Sequence, residues 1–306
     1  MPSLRPNLVK RIERLPKPSN ATMALQPLFE AISNAIHSTQ TKFGENSPRD
    51  GMVTVTISTS RDKEKVWATV EDNGHGLDSK NWEAFKTTDT DNKIAIGGKG
   101  VGRLMWLDCF ERISVISVYF ENELFKKRTF DFVLSMDEQI KNETETTLKD
   151  QSSSMFFVRF EGLRSNKYFE KFPGRDTYLI RHFTSHFLPT FIGGRSPKLS
   201  LIIGDETHHY PEAINEIVKR RSEQTKIDSE KYGEMSLVLL ECAKSASADM
   251  TGHNFVHFIA HDRTVKSQPI DGKLGLKYFG SDGNSVFHAI LTGKFLDDNV
   301  NQERTA

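Results

Sequence analysis

The tightest constraint on this chain is the run GGKGVGRLMW at 97–106, where glycine stands at 97, 98, 100 and 102. Glycines at that density let backbone N–H groups crowd around an anion. The apolar residues that follow read as a short buried helix, whose N-terminal end adds positive potential. Lys99 and Arg103 supply formal charge. Two well-known phosphate loops are excluded by pattern. No Gly-x-x-x-x-Gly-Lys-Ser/Thr occurs, and in a dinucleotide fingerprint the third glycine would fall at Arg103, outside any β-α-β unit.

Two further stretches carry chemistry. In VEDNGHGLD (70–78) a strand ends at Asp72, and Asn73-Gly74 with Gly76 forces a tight turn. The carboxylate then points into whatever the strand end faces, where it can accept a hydrogen bond from an exocyclic amine; the same residues also fit an ordinary Asn-Gly hairpin. Upstream, Leu25, Leu28, Phe29, Ile32 and Ile36 recur at helical spacing. At 100° per residue Glu30, Asn34 and His37 share the opposite stripe. Such a helix presents a carboxylate able to polarise water and an amide oxygen hard enough for Mg²⁺. Read alone, it is also an ordinary amphipathic helix.

The remaining pattern is mixed. Strands are expected at 52–58, 65–72, 112–120, 127–134 and 155–161, a long polar loop with one helical turn at 77–98, and a hairpin-tip-like stretch at 137–153. Residues 1–20 read as a basic, proline-bearing extended arm. Beyond a boundary near 162–167, a helix is expected at 175–192, a strand at 198–204 and a charged helix at 211–230. Further strands are expected from SLVLLECA, NFVHFIAHDRT and SVFHAILTGKF. Interleaved helices and strands give an α+β class with two layers per domain. The 41 basic and 41 acidic residues cancel over 306 residues, which argues against a protein devoted to a polyanion. Cys109 and Cys242 lie too far apart for a disulfide framework or a zinc-ligand pair. With neither a signal peptide nor a membrane span, a cytoplasmic location without membrane contact is expected. His253, His257 and His261 share strand parity, but neighbours ~13 Å apart are too distant to share an ion. Trp67, Trp82 and Trp106 read as packing residues.

Taken in order, the three stretches resemble the GHKL superfamily of ATPases, which unites gyrase B, the ninety-kilodalton heat-shock chaperone, sensor histidine kinases and MutL. FEAISNAIHS is similar to its N box, DNGHG to its first glycine box and GGKGVGR to its second, with 77–98 in the place of the ATP lid. The resemblance implies a Bergerat α/β sandwich over 20–163, following an arm at 1–19. A transducer domain with a ribosomal-protein-like α/β fold would occupy 164–306. It implies ATP and Mg²⁺ as ligands, Glu30 as general base, Asn34 on the metal, and Asp72 on the adenine amine. Gly74 and Gly76 would admit the base, and Gly98, Lys99, Gly100, Val101 and Gly102 would wrap the phosphates. Arg304, in GKFLDDNVNQERT, would be the γ-phosphate sensor, with Lys266 and the Gln224-Thr225-Lys226 run as rivals. If so, the chain is expected to be cut from a longer protein.

The implied activity is slow hydrolysis coupled to lid closure and a nucleotide-dependent homodimer, a molecular clamp of the kind used in repair, strand passage or phage defence. The arm is the candidate element for crossing to the partner. Two departures stand out: His37 replaces a frequent Asp, and SSSMFFVRFEGL lacks the family's Gly-Thr pair, with Ser154 nearby. Two alternatives remain open. One is a nucleotide-binding module without hydrolysis, and the other is a nucleic-acid-associated protein using Lys219, Arg220 and Arg221.

Overall fold

The computed structural model describes residues 8–87, 102–244, 253–260, 263–274, 280 and 283–299. They form two units. Among the described residues, the first comprises those within 1–89, 100–176 and 196–209, and the second those within 177–195 and 210–306. The chain therefore returns to the first unit after 176, beyond the boundary expected near 163.

The first unit is one sheet covered by helices. Its strands are β1 (Met52–Ser58), β2 (Trp67–Asp72), β3 (Phe110–Glu121), β4 (Leu124–Phe132), β5 (Ile140–Leu148), β6 (Met155–Leu163), β7 (Lys198–Ile203) and β8 (Glu206–Tyr210). They lie in the order β5-β4-β3-β6-β2-β1-β7-β8. Pairing is antiparallel between β1 and β2 and parallel between β1 and β7. Strand alternation sets what faces the core. Val53, Val55 and Ile57 of β1 and Ala68 and Val70 of β2 are buried. Asp72 has the parity of Ala68 and Val70, so the same alternation turns its carboxylate inward.

Helices α1 (Leu8–Glu13), α2 (Ala21–Phe43), α3 (Ser47–Asp50), α4 (Ser79–Lys86), α5 (Gly102–Cys109) and α6 (Asn166–Phe169) complete this unit. Asn20 caps α2 by accepting the Met23 N–H at 2.9 Å. At the other end Gly44, at φ +55°, closes the helix by donating its N–H to the Gln40 carbonyl. Leu25, Leu28, Ile32 and Ile36 are buried as their spacing requires, and α2 packs on β1, β2 and α5.

Three expectations for this unit change. The arm is not wholly extended: α1 packs on α5 with Ile12 only 1% exposed. Lys17 pairs with the buried Asp108, which also accepts from Tyr168 Oη at 3.0 Å. The stretch expected as a hairpin tip contains β5. That strand shows no hydrophobic alternation because it lies at the sheet edge with both faces largely exposed. It is held by its ladder to β4 and by Arg128, which pairs with Glu143 and Glu145. The polar loop holds the two-turn helix α4, capped by Asp78. Its Trp82 and Phe85 pack against Phe130, and Phe85 also meets Phe132.

The second unit contains β9 (Val218–Arg221), β10 (Thr225–Ser229), β11 (Gly233–Ala243), β12 (Phe255–Ala260), β13 (Arg263–Pro269) and β14 (Ser285–Gly293). With them are helices α7 (Asp176–Ile192), α8 (Asp271–Leu274) and α9 (Lys294–Asn299). The sheet runs β10-β11-β14-β12-β13, and β9 also pairs with β11. The charged helix expected over 211–230 is instead a short 3₁₀ turn followed by β9 and β10. Their mostly exposed side chains hide the strand period, and their backbones add to β11. Among the described residues, no helix is long and apolar enough to cross a membrane.

The strand histidines are structural. His257 Nε2 lies 2.8 Å from His288 Nδ1, with both rings buried and stacked. His253 meets Asp271 at 2.8 Å, and His261 lies outside the described residues. Among the described residues, no three metal-ligating side chains gather. Burial pushes the pKa of His257 down to about 4. Burial, helped by His257, pushes that of His288 to about 3. Both lie below the unfolded value of ~6.5, so the unfolded chain binds more protons and stability is lost as pH falls through 6.5 toward 4. The urea midpoint should drop between pH 7 and pH 5. His288→Leu should remove roughly half of that drop; an unchanged pH slope would refute the assignment.

Candidate functional site

One row of α2 carries the site. Glu30, Asn34, Ser38 and Lys42 follow at intervals of four, so each lies one turn above the last with a drift of about 40°. Glu30 and Asn34 are half-buried. Glu30 Oε1 accepts from Gln26 Nε2 at 3.4 Å. Its Oε2 lies against Gly102, the first residue of α5, where a Cβ would come within 2.7 Å of it. Only glycine fits there without displacing the carboxylate. The first and third sequence stretches therefore meet at Glu30 and Gly102.

The second stretch meets the same helix row further on. Asp72 is 3% exposed at the end of β2. Its Oδ1 accepts the Gly74 N–H at 2.8 Å, and Ser38 hydrogen-bonds the carboxylate. A Cβ on Gly74 would lie 1.9 Å from Ser38 Oγ. Gly76 sits at φ +71°, where a Cβ would lie 2.4 Å from the Val118 carbonyl. The turn is locked from outside as well. Asn73 accepts from the Met52 N–H through Oδ1 and donates to the Asp50 carbonyl, both at 2.8 Å. Leu77 donates its N–H to Ser117 Oγ at 2.7 Å, and its carbonyl accepts from Arg128 at 3.0 Å.

The electrostatics of Asp72 follow from this enclosure. Desolvation raises its pKa to about 7, against the Gly74 N–H, the Ser38 hydroxyl and the Lys42 charge, which favour the carboxylate. In its ionised form this buried carboxyl can only accept hydrogen bonds.

Gly98, Lys99, Gly100, Val101 and Arg304 lie outside the described residues. Arg103 is described, and its guanidinium serves the protein itself. It donates to the carbonyls of Ala84 at 2.9 Å and Thr87 at 3.0 Å, and stacks over Phe85. Burial lowers its pKa to about 10. His37, expected on the functional stripe, turns along its own helix to within 3.3 Å of Thr41 Oγ1; Ser38 makes the contact to Asp72. In the second unit, Gln224 donates to Ser236 and Lys226 pairs with Glu234.

Ser38 and Lys42 extend the site beyond the residues expected from the motifs. Ser38 and Lys42 were readable by continuing the Glu30–Asn34 interval two further steps. Ser154 stands near the place of the missing Gly-Thr pair in the sequence, but spacing alone does not put it in the site. It reaches the site because β6 pairs with β2 beside Asp72, where its Oγ donates to the Gly74 carbonyl at 2.6 Å.

Residues 20–138 match the family model described as Histidine kinase-, DNA gyrase B-, and HSP90-like ATPase. The matched stretch spans all three motifs, in keeping with the class that they imply. No curated protein matches the sequence. The chain is similar in structure to the N-terminal domain of a DNA repair protein, with 12% identity and a TM-score of 0.56 over 94% of this chain and 86% of that one. It is also similar to the ATPase and transducer domains of DNA topoisomerase II from Balamuthia mandrillaris, with 13% identity and a TM-score of 0.47 over 80% and 61%. The first likeness shows that this chain shares the α+β fold of that domain.

Because Asp72 titrates higher in the folded protein than in the unfolded chain, burying its charge costs most above pH 7 and nothing below ~pH 4. Asp72→Asn should therefore raise the apo melting temperature by several degrees at pH 8 and by less than half as much at pH 5. An equal rise at both would contradict the burial argument. Gly74→Ala should destabilise by about 1–3 kcal/mol from steric overlap alone, read by urea unfolding.

Proposed function

We propose that the first unit binds ATP with Mg²⁺ and hydrolyses it slowly, using the α2 row as its catalytic edge. One observation carries this reading: a single helix touches both the Asp72 turn, through Ser38, and the start of α5, through Glu30. Base recognition and phosphate chemistry then fall on one rigid element. In this reading Asp72 accepts from the adenine amine, Gly74 and Gly76 admit the ring, and Gly98 to Gly102, with Lys99 and Val101, wrap the phosphates.

The donor chemistry fits the metal, since Asn34 offers an amide oxygen one turn from a carboxylate, the hard oxygen type that Mg²⁺ selects. Asn34 would hold the ion, which when bound neutralises phosphate charge. Glu30 orients and deprotonates the attacking water. Its wall at Gly102 limits where the carboxylate can go, and that restriction serves as preorganisation. Arg304 is the proposed γ-phosphate cation from the second unit. Slow turnover follows if closure of the segment after α4, rather than bond cleavage, limits the cycle. Closure would in turn favour a nucleotide-dependent homodimer acting as a clamp. Because α1 and Lys17 fold back on α5 and Asp108, any crossing of the arm to a partner falls to residues before Leu8.

The rival readings gain little. Lys219 donates to the Asn284 carbonyl and Ser285, and Arg221 donates to the Ile192 carbonyl. The basic cluster is thus partly engaged within its own unit rather than offered to nucleic acid. The His37 departure, which favoured binding without hydrolysis, loses weight because Ser38 fills the contact to Asp72.

Phosphate release from ATP should depend on Glu30. Glu30→Ala should cut the rate at least 100-fold while ADP affinity stays within about threefold. Turnover indifferent to the change would remove Glu30 from the base role, and loss of ADP binding as well would mean the residue only shapes the site.

A further inference from the structure

Lys42 ends the α2 row, and its ammonium group has three N–H donors. All three meet acceptors at one turn: the Asn73 carbonyl at 2.6 Å, Ser154 Oγ at 2.8 Å and the Gly74 carbonyl at 3.2 Å. Ser154 itself donates to the Gly74 carbonyl, so the two carbonyls after Asp72 are gripped by a cation and a hydroxyl together. Burial lowers the pKa of Lys42, and the Asp72 charge opposes that effect.

Peptide geometry converts this grip into an orientation. The Asn73 carbonyl and the Gly74 N–H belong to one planar trans peptide and point in opposite directions. Holding the carbonyl toward Lys42 therefore aims the N–H at Asp72 Oδ1, the bond seen at 2.8 Å. The carboxylate cannot rotate without giving up that bond. Gly74, lacking a Cβ to bias its backbone, gains the most from an external brace.

We propose that Lys42 is a positioning residue for base recognition: by fixing the Asn73–Gly74 peptide it sets the direction in which Asp72 presents its remaining lone pairs to the exocyclic amine of a purine. The proposal rests on the reading of Asp72 as the adenine acceptor. It predicts an effect on base discrimination rather than on phosphate binding, because the Lys42 contacts lie at the Asp72 end of the row, three turns from Glu30. The charge also matters, since a cation beside Asp72 favours the form that can only accept.

The test compares ADP with IDP, which share ribose and phosphates and differ in an amine or a carbonyl at position 6 of the base. Wild type should prefer ADP by at least about tenfold in calorimetric titration, as a site built for an amine donor rejects an analogue lacking it. Lys42→Met should weaken ADP about tenfold and leave IDP within about twofold, so the preference shrinks. Lys42→Gln, which keeps donors but loses the charge, should fall between, and it serves as the reading if Lys42→Met does not fold. Ser154→Ala should shrink the preference in the same sense. If Lys42 variants weaken ADP and IDP equally, or change neither, Lys42 is a structural brace only and the proposal fails while Asp72 keeps its role. If wild type shows no preference at all, the adenine reading of Asp72 fails, and the proposal with it.

Discussion

Everything in the first unit turns on a carboxylate that the sheet forces inward. Asp72 shares parity with Ala68 and Val70, so it cannot face solvent without flipping the strand. An isolated buried carboxylate is costly unless donors surround it. The Gly74 N–H and the Ser38 hydroxyl supply hydrogen bonds and Lys42 supplies charge, yet desolvation still dominates. That residual cost is useful. In the proposed reading, a ligand donor that reached Asp72 would relieve a deficit already present in the fold. Binding and stability are then linked through the same group.

Helix α2 is what lets this deficit belong to a site rather than to a defect. Twelve residues separate Glu30 from Lys42, or ~18 Å of rise. Along that length one row of side chains touches α5, then Asp72, then the carbonyls behind it, while the opposite face is buried on β1 and β2. The buried face anchors the helix through apolar area, and the polar row inherits that rigidity without contributing to it. Groups that must cooperate over many ångströms are held on one element, which is a more exact support than separate loops.

The legible parts of the sequence were those where one period dominates. The apolar spacing of α2 and the alternation of β1 and β2 carry their own burial pattern, and the glycine positions mark real close approaches at 74, 76 and 102. What escaped has physical reasons. Strand β5 and strands β9 and β10 lie at sheet edges or on exposed surface, so no buried face imprints a period on them. The role of Ser154 depends on β6 pairing beside β2, a non-local fact absent from spacing. His37 was favoured over Ser38 because seven residues bring a helix nearly full circle. The actual row instead advances by fours and drifts around the axis toward Asp72.

Arg103 ties α5 to α4. It follows the glycine stretch in sequence and was counted as charge for phosphate, yet its donors go to Ala84 and Thr87, the carbonyls at the C-terminal end of α4. The residue that opens α5 is next to it, so one side chain ties the start of α5 to the end of α4. The stacking of Arg103 on Phe85, and of Arg128 on Trp82, holds α4 to the sheet in turn. A guanidinium used as a staple in this way is spent on the fold rather than on a ligand.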